Sequence, residues 1–152
     1  MRQSQWECND PAFFRQLFSQ AETLFLSIAT EEYPYVVPVN FVYLDGKLYF
    51  HSSPKGTKME LIARDGRVGF SVAADVEIAR KKSTTYYKSV CGTGRATIVE
   101  DIAEKGKALD AIAERYGASC PRPTPEAVLR NVGIVRIDVA AMTGKNRPPH
   151  QD

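Results

Sequence analysis

The sequence predicts a mainly β protein, a closed or nearly closed antiparallel barrel of about six strands with short flanking helices. Three observations support this fold class. Apolar residues alternate with a period of two in several segments, tight-turn signals join those segments, and too few helical segments separate them for a parallel sheet. The chain has 152 residues, 43% of them hydrophobic, which is enough for one buried core. We therefore expect a single domain over residues 1–152.

The chain is expected to begin with a short amphipathic helix, followed by a strand. Asp10 before Pro11 is typical of a helix start, because aspartate caps the first turn and proline needs no hydrogen-bond acceptor there. Apolar side chains then recur at helical spacing as far as about Gln20, and these are Phe13, Phe14, Leu17 and Phe18. From Thr23 the period changes to two, which predicts the first strand.

A β-hairpin is expected next. Residues 35–44 form a run of ten with both faces largely apolar, which predicts a second strand. Asp45-Gly46 is a strong hairpin signal, because these residue types tolerate positive φ angles. The third strand then covers residues 47–53. Three antiparallel strands are thus predicted in succession.

A short helix and two further strands are expected in the middle of the chain. Ser53-Pro54 predicts the helix start and Asp65-Gly66 its end, and the side chains expected to face inward are Met59, Ile62 and Ala63. Strands are predicted over residues 67–74 and 84–99. In the second of these, Gly92 and Gly94 predict a bend or bulge.

Two helices and a last strand complete the predicted fold. Asp101 is the expected cap of a helix that ends at Gly117, and Thr124-Pro125 predicts a brief helix to about Arg130. A strand over residues 133–139 follows, before a tail over residues 143–152.

Composition excludes several classes of function. The net charge is only +2, from 20 basic and 18 acidic residues, so we expect no binding to nucleic acid or to an anionic membrane. The cysteines Cys8, Cys91 and Cys120 are widely scattered and the chain has two histidines, so we expect no metal site. Unpaired thiols are typical of a reducing compartment, and no apolar run approaches the ~20 residues of a membrane-spanning helix. We therefore expect a soluble, cytoplasmic protein.

Pro38 and Asn40 are an anomaly in the second predicted strand. Proline cannot donate a ladder hydrogen bond, so the strand must be irregular or unpaired at Pro38. Asn40 lies two residues on, and it brings an amide with two donors and an acceptor into apolar surroundings. Two interpretations stay open: an edge strand in which Asn40 bonds to nearby backbone, or an edge that contacts a ligand.

A basic segment follows the third predicted strand. It contains, in order, His51, Ser52, Lys55, Gly56 and Lys58, at the expected start of a short helix. Imidazole, hydroxyl and ammonium groups beside free backbone amides form a plausible phosphate cradle. Solvated loop lysines are the alternative interpretation. The spacing is neither that of a nucleotide-triphosphate loop nor that of a dinucleotide-binding glycine motif.

A series of segments in order and spacing resembles one known family. The segments are Tyr33-Pro34-Tyr35-Val36-Val37-Pro38-Val39-Asn40-Phe41, Leu48-Tyr49-Phe50-His51-Ser52, Gly56-Thr57-Lys58, Arg67-Val68, Tyr87-Lys88-Ser89-Val90, Gly92-x-Gly94-Arg95-Ala96 and Met142-Thr143-Gly144-Lys145. The chain resembles the nitroimidazole-resistance branch of the pyridoxamine 5'-phosphate oxidase-like split barrels, over about residues 23–145. The resemblance implies a six-stranded split barrel that forms a homodimer, with FMN in a cleft between the subunits.

The resemblance also implies positions for the cofactor. The isoalloxazine edge would lie beside Pro38, Val39 and Asn40, the phosphate near His51, Ser52, Lys55 and Lys58, and Ser89 would be a further contact. We expect FMN to take electrons from NADH or NADPH and to pass them to a small acceptor such as a nitro group, with no metal and no residue acting as nucleophile. The alternative is a module that binds flavin, haem or a small anion without turnover. The arginine-rich pattern of the vitamin-oxidase branch is not found.

Overall fold

The computed structural model describes residues 4–149, and within that range the chain forms four α-helices and seven strands. The helices are α1 (Pro11–Gln20), α2 (Thr57–Arg64), α3 (Ile102–Arg115) and α4 (Glu126–Leu129). The strands are β1 (Leu24–Ile28), β2 (Tyr35–Val39), β3 (Val42–Leu44), β4 (Lys47–Ser52), β5 (Arg67–Ala79), β6 (Thr84–Ile98) and β7 (Gly133–Arg147). Two short 3-10 helices, Ser4–Trp6 and Arg80–Lys82, complete the elements.

All seven strands belong to one antiparallel sheet, in the order β2-β1-β5-β6-β7-β4-β3. The predicted mainly β class with flanking helices is confirmed. The strands at the two edges, β2 and β3, are consecutive in the chain and are separated only by Asn40 and Phe41. Three Cα steps of 3.8 Å span at most about 11 Å. The sheet must therefore curl until its two edges approach each other.

One detail of the predicted barrel is wrong, because the sheet has seven strands and not six. The hydrogen-bond ladder does not close, so of the two predicted forms the sheet is the nearly closed one. The cause is one break: the strand expected over residues 35–44 divides at Asn40 and Phe41. Its first half pairs with β1 and its second half pairs with β4, at opposite edges of the sheet.

The concave side of the sheet encloses the main hydrophobic core, which α1 fills. The α1 start is as predicted, because the Asp10 carboxylate accepts the Ala12 N–H at 2.7 Å. All four apolar side chains predicted for one face of α1 are buried. Phe18 is fully buried and makes an edge-on contact with Phe41, at 5.9 Å between ring centroids. This packing fixes Phe41, the second residue of the break between β2 and β3.

A smaller core lies on the other side of the sheet, beneath α3. Its buried members are Tyr49, Val99, Ala108 and Ile134. The predicted cap of α3 is confirmed, since Asp101 accepts the Glu104 N–H at 2.7 Å. Helix α3 thus covers one end of the convex face, next to β3 and β4.

The predicted hairpin and bulge are both present. Asp45 and Gly46 have φ angles of 51° and 81°, as a type I′ turn between β3 and β4 requires. The β6–β7 register shifts between Thr93 and Gly94. A Cβ atom on Gly94 would lie 2.5 Å from the Asp138 carbonyl oxygen, so the close approach of β7 needs glycine there.

Several expected boundaries differ from the structure. Helix α2 begins at Thr57 and not at Ser53-Pro54, and Ala63 is exposed and not inward-facing. Strand β5 continues to Ala79 past a bulge beside Ala74, and residues 143–147 of the expected tail belong to β7. The long strand β6 provides hydrogen-bonding partners for both β5 and β7, which explains why these two strands are longer than expected. Residues 150–152 of the expected tail lie outside the described residues.

Candidate functional site

An apolar cavity of about 290 Å³ opens between the β2–β3 break and the C-terminal half of α3. Helix α3 contributes Leu109, Ile112 and Ala113. The opposite wall comes from the segment after α3 and from α4, including Cys120 and Val128. The cavity therefore lies against the irregular backbone that joins the two edge strands of the sheet.

Asn40 and His51 bring polar groups to this cavity. Asn40 lines the cavity from the β2–β3 break, and His51 lines it from the end of β4. Both side chains are exposed. The fold thus brings to one cavity two residues that were predicted separately from the sequence as site residues.

Tyr116, directly after α3, holds the break in place. Its hydroxyl donates to the Glu22 carbonyl oxygen at 2.7 Å and accepts the Phe41 N–H at 3.1 Å. The Asn40 side-chain nitrogen donates to the same Glu22 oxygen at 3.2 Å. Tyr116 therefore replaces the strand partner that Phe41 lacks, and the shared acceptor orients the Asn40 amide.

Arg115 supports the same junction. Its guanidinium donates to the Ala21 carbonyl oxygen and lies over the Phe41 ring, 4.5 Å from the centroid. Burial lowers the pKa of Arg115, and the nearby Tyr116 and Glu22 oppose this effect. The positioning roles of Arg115 and Tyr116 were not predicted from the sequence. The irregular strand could have indicated such roles, because its unpaired backbone groups need hydrogen-bond partners from other segments.

The start of α2 carries the predicted basic groups. Gly56 precedes the helix at φ 117°, and its carbonyl oxygen accepts the N–H groups of Met59 and Glu60. The amides of Thr57 and Lys58 precede these first intrahelical bonds, as at an anion-binding helix start. Such a start attracts negative charge.

The two lysines differ in their surroundings. Lys58 is half-buried, with its ammonium 5.5 Å from the centroid of the Phe50 ring, whereas Lys55 is exposed. Burial lowers the pKa of Lys58. A partly desolvated ammonium gains more from an anionic ligand than a fully hydrated one does, so Lys58 is the better-placed cation of the pair.

The other predicted site residues lie on different sides of their strands, because successive side chains of a strand alternate between its two sides. His51 lies on the α3 side of β4 with Tyr49, and Ser52 lies on the opposite side with Phe50. On β2, Val39 is buried in the main core, so its side chain is not available to a ligand there, and Pro38 is exposed. Pro38 lies in an edge strand, as one of the two open interpretations expected.

Ser89 does not join the other predicted site residues within one chain. It pairs with Ala73 and Lys145 in the middle of the sheet. Phe50 on β4 pairs with Val135 on β7, which in turn pairs with Ile98 on β6. Ile98 lies nine residues along β6 from Ser89. Nine residues correspond to about 30 Å of strand at about 3.3 Å each.

The described range 4–149 contains no cluster of three or more His, Cys, Asp or Glu side chains arranged to hold a metal ion. None of its helices is long and apolar enough to cross a membrane. The three cysteines are free thiols, and Cys120 lines the cavity.

Comparison with known proteins gives consistent matches. The family model described as pyridoxamine 5'-phosphate oxidase matches residues 11–146. Among curated proteins no match is found. A solved structure from Bacteroides thetaiotaomicron, a candidate 5-nitroimidazole antibiotic resistance protein, shares 30% sequence identity at a TM-score of 0.79, over 91% of this chain and 85% of that one.

Two more distant structures share the fold. An FAD and heme binding protein from Mycobacterium smegmatis has 17% identity and a TM-score of 0.81, over 96% of this chain and 75% of that one. An FAD-binding protein from Mesorhizobium loti has 21% identity and a TM-score of 0.68, over 91% of this chain and 96% of that one.

Proposed function

Because the chain belongs to the pyridoxamine 5'-phosphate oxidase-like family, we propose that it binds FMN and acts as an oxidoreductase on small molecules. The observation that carries the proposal is the position of two chemically distinct regions at one end of β4. His51, with Asn40, lines an apolar cavity, and the next residues lead into the basic start of α2. A flavin nucleotide needs both an apolar ring site and a phosphate site.

The residues at the α2 start fit a phosphate. Lys58 and Lys55 supply positive charge, the α2 amides supply donors, and His51 and Ser52 end the adjoining strand. A dianionic phosphate would favour the charged form of Lys58 and so oppose the effect of burial on its pKa. These are the residues that would hold the phosphate.

The β2–β3 break fits the edge of a flavin ring. Hydrogen bonding to the Glu22 carbonyl holds the exposed Asn40 amide in one orientation, and irregular backbone on either side of it can approach a ligand closely. Pro38 is exposed next to this region, and Val39 would contribute through its backbone because its side chain is buried. The ring edge would therefore meet Pro38, Val39 and Asn40.

We also propose that two copies of the chain form a homodimer through the convex face of β1, β2, β5 and β6. Phe25 on β1 and Val36 on β2 are 53% and 60% exposed on this face. Large apolar side chains exposed on a broad sheet are typical of an interface. In such a dimer, the partner's copy of this sheet would supply Ser89 to the flavin site. The large distance between Ser89 and Lys58 within one chain would then not prevent both residues from contacting the same FMN. The curled open sheet would then be one half of a split-barrel pair.

When bound, FMN would supply hydride transfer from NADH or NADPH to a small acceptor such as a nitro group. The chain itself would bind the phosphate, orient the ring and exclude water, and His51 would hold the phosphate or donate a proton at the cavity. The relatives' names mention 5-nitroimidazole resistance, FAD and heme. FAD is thus a competing cofactor, and a flavin or haem module without turnover is the alternative function.

The visible spectrum of the purified protein, before and after addition of FMN, tests the binding proposal. We expect flavin absorption bands, quenched flavin fluorescence and a raised thermal midpoint. A Soret band would indicate haem, and an unchanged fluorescence and midpoint would exclude FMN. Anaerobic bleaching of the flavin by NADH or NADPH tests the reductase activity, and flavin that binds without bleaching would leave a binding module.

A further inference from the structure

We propose that a second cleft, between α1 and the β3–β4 hairpin, binds an aromatic carboxylate. This cleft, called the α1 cleft below, has a volume of about 620 Å³ and shares no lining residue with the apolar cavity beside α3. Its lining comes from α1, from β3 with the turn that follows it, and from the last residue of α3. The inference therefore goes beyond the proposed function and does not depend on flavin binding.

Two guanidinium groups line the α1 cleft without a carboxylate partner. Arg15 belongs to α1, and Arg115 is the last residue of α3. Within residues 4–149, neither side chain forms a salt bridge. Glu22 acts on Arg115 through its charge but does not line the cleft. Because guanidinium groups bind carboxylates through paired N–H donors, two of them in one cleft favour an anionic ligand.

Arg115 is held in place before any ligand binds. Its guanidinium donates to the Ala21 carbonyl oxygen and lies over the Phe41 ring, 4.5 Å from the centroid. Within the described part of the chain the Ala21 oxygen is its one hydrogen-bond acceptor, so most of its five N–H donors remain available. Arg115 is also half-buried, and a partly desolvated cation gains more from an anion than a fully hydrated one does. A cation fixed in this way lowers the entropic cost of binding.

The acidic residue of the α1 cleft does not cancel the charge of the two arginines. Asp45, in the turn between β3 and β4, forms a salt bridge with Lys107 at 2.5 Å. Lys107 does not line the cleft, so it offsets the Asp45 charge from outside. An anionic ligand would therefore gain from Arg15 and Arg115 and would meet little net repulsion from Asp45.

An aromatic surface lies next to these charges. Tyr43 on β3 is half-buried in the lining, and the fully buried Phe18 supports its ring, with 4.8 Å between the ring centroids. A ring that is already packed on one side can stack on a flat ligand without being ordered first. The volume of the cleft also lies within the range of about 300–1,000 Å³ that is typical of small-molecule sites. An anionic head on an aromatic body matches both parts of the lining.

Titration calorimetry of the full chain with naphthalene-2-carboxylate tests the proposal. The comparison ligands are naphthalene-2-carboxamide, which lacks the charge, and acetate, which lacks the rings. The variants are Arg15→Gln and Arg15→Glu, because Arg15 is exposed and its replacement should leave the thermal midpoint unchanged. Arg64→Gln is the matched control, since Arg64 is an exposed arginine on α2 that pairs with Glu31 and lies outside the cleft.

We expect the wild type and Arg64→Gln to bind the carboxylate equally, and Arg15→Gln to bind it about tenfold more weakly. Arg15→Glu should not bind it detectably, and the wild type should prefer the carboxylate to the amide and to acetate by about tenfold or more. Undiminished binding by both Arg15 variants would overturn the proposal, because the carboxylate would then bind elsewhere. No binding by the wild type, or equal affinity for the amide or for acetate, would also overturn it. A protein that binds the carboxylate as expected but does not bind FMN would keep the α1 cleft as a site and lose the proposed flavin function.

Discussion

Asn40 and His51 line the same cavity from two different parts of the sheet edge, although Asn40 belongs to neither flanking strand. His51 is placed by its pairing with Ile134 on β7. Asn40 is placed by the Glu22 carbonyl oxygen, which Tyr116 also binds. His51 is thus fixed by the sheet, and Asn40 by the segment between α1 and β1.

Removing the Tyr116 hydroxyl should destabilise this junction. In Tyr116→Phe, the partly buried Phe41 N–H loses its acceptor, and the Glu22 oxygen loses a donor. An unsatisfied buried group costs about 1–3 kcal/mol, and we expect the free energy of unfolding to fall by that amount in denaturant titrations. Tyr33→Phe is the control, since Tyr33 is 79% exposed and should change stability little. Equal stability of Tyr116→Phe and the wild type would contradict the role of the Tyr116 hydroxyl in holding the β2–β3 break.

Tyr49 should make stability depend on pH at the alkaline end. Burial, together with the hydrogen bond and charge of Glu104, raises the pKa of Tyr49 to about 12. The folded state therefore keeps the proton that the unfolded state loses near its ordinary value of 10.0. The stabilisation is complete below about pH 10 and is lost as pH rises towards about 12. Chemical unfolding at several alkaline pH values should show this fall, and Tyr49→Phe should reduce it.

Gly92 should not tolerate a larger side chain. A Cβ atom at this position would lie 2.3 Å from the Phe70 ring and 2.7 Å from the Ala141 carbonyl oxygen. Phe70 is buried in the main core, where closely packed side chains surround it. We expect Gly92→Ala to lower the free energy of unfolding by about 1–3 kcal/mol, as for other overpacked cores. Thr93 is exposed, so Thr93→Ala should change the free energy of unfolding much less in the same denaturant titration. Equal effects of the two substitutions would argue against the close contact at Gly92.

The convex face should control the oligomeric state. Phe25→Glu places a charge on the proposed dimer interface, and desolvating that charge would oppose association. We expect this variant to sediment as a monomer and the wild type as a dimer. Val128→Glu introduces the same charge at an exposed valine on α4 and should stay dimeric. A wild-type monomer, or a dimeric Phe25→Glu, would exclude this interface.

Local sequence signals predict much of the fold. Asp10 and Asp101 cap helices, Asp45-Gly46 forms the hairpin, and Gly94 marks a bulge, because each of these features depends on a few neighbouring residues. The division of the strand at Asn40 was not predictable to the same degree. Pro38 indicated an irregular strand, but the choice of partners depends on β1 and β4, which are distant in sequence.

The candidate site was predictable in its residue types and not in its arrangement. The sequence places His51 and Ser52 side by side, yet they face opposite sides of β4. The cavity itself depends on α3 and on the segment that includes Cys120, which only the tertiary structure brings to Asn40. Tyr116 is an ordinary member of an apolar helix face in the sequence, and its role depends on a backbone group 75 positions away.

The most direct test of the account compares the affinity of FMN and riboflavin for the wild type, Lys58→Gln and Lys107→Gln. Only FMN carries the phosphate, and a charge-assisted hydrogen bond contributes about 1.5–3 kcal/mol. We predict that Lys58→Gln binds FMN about ten- to hundredfold more weakly and binds riboflavin unchanged. Lys107→Gln, a surface change on α3 beside Asp45, should match the wild type with both ligands. Equal FMN affinity in all three proteins would contradict the assignment of the α2 start as the phosphate site.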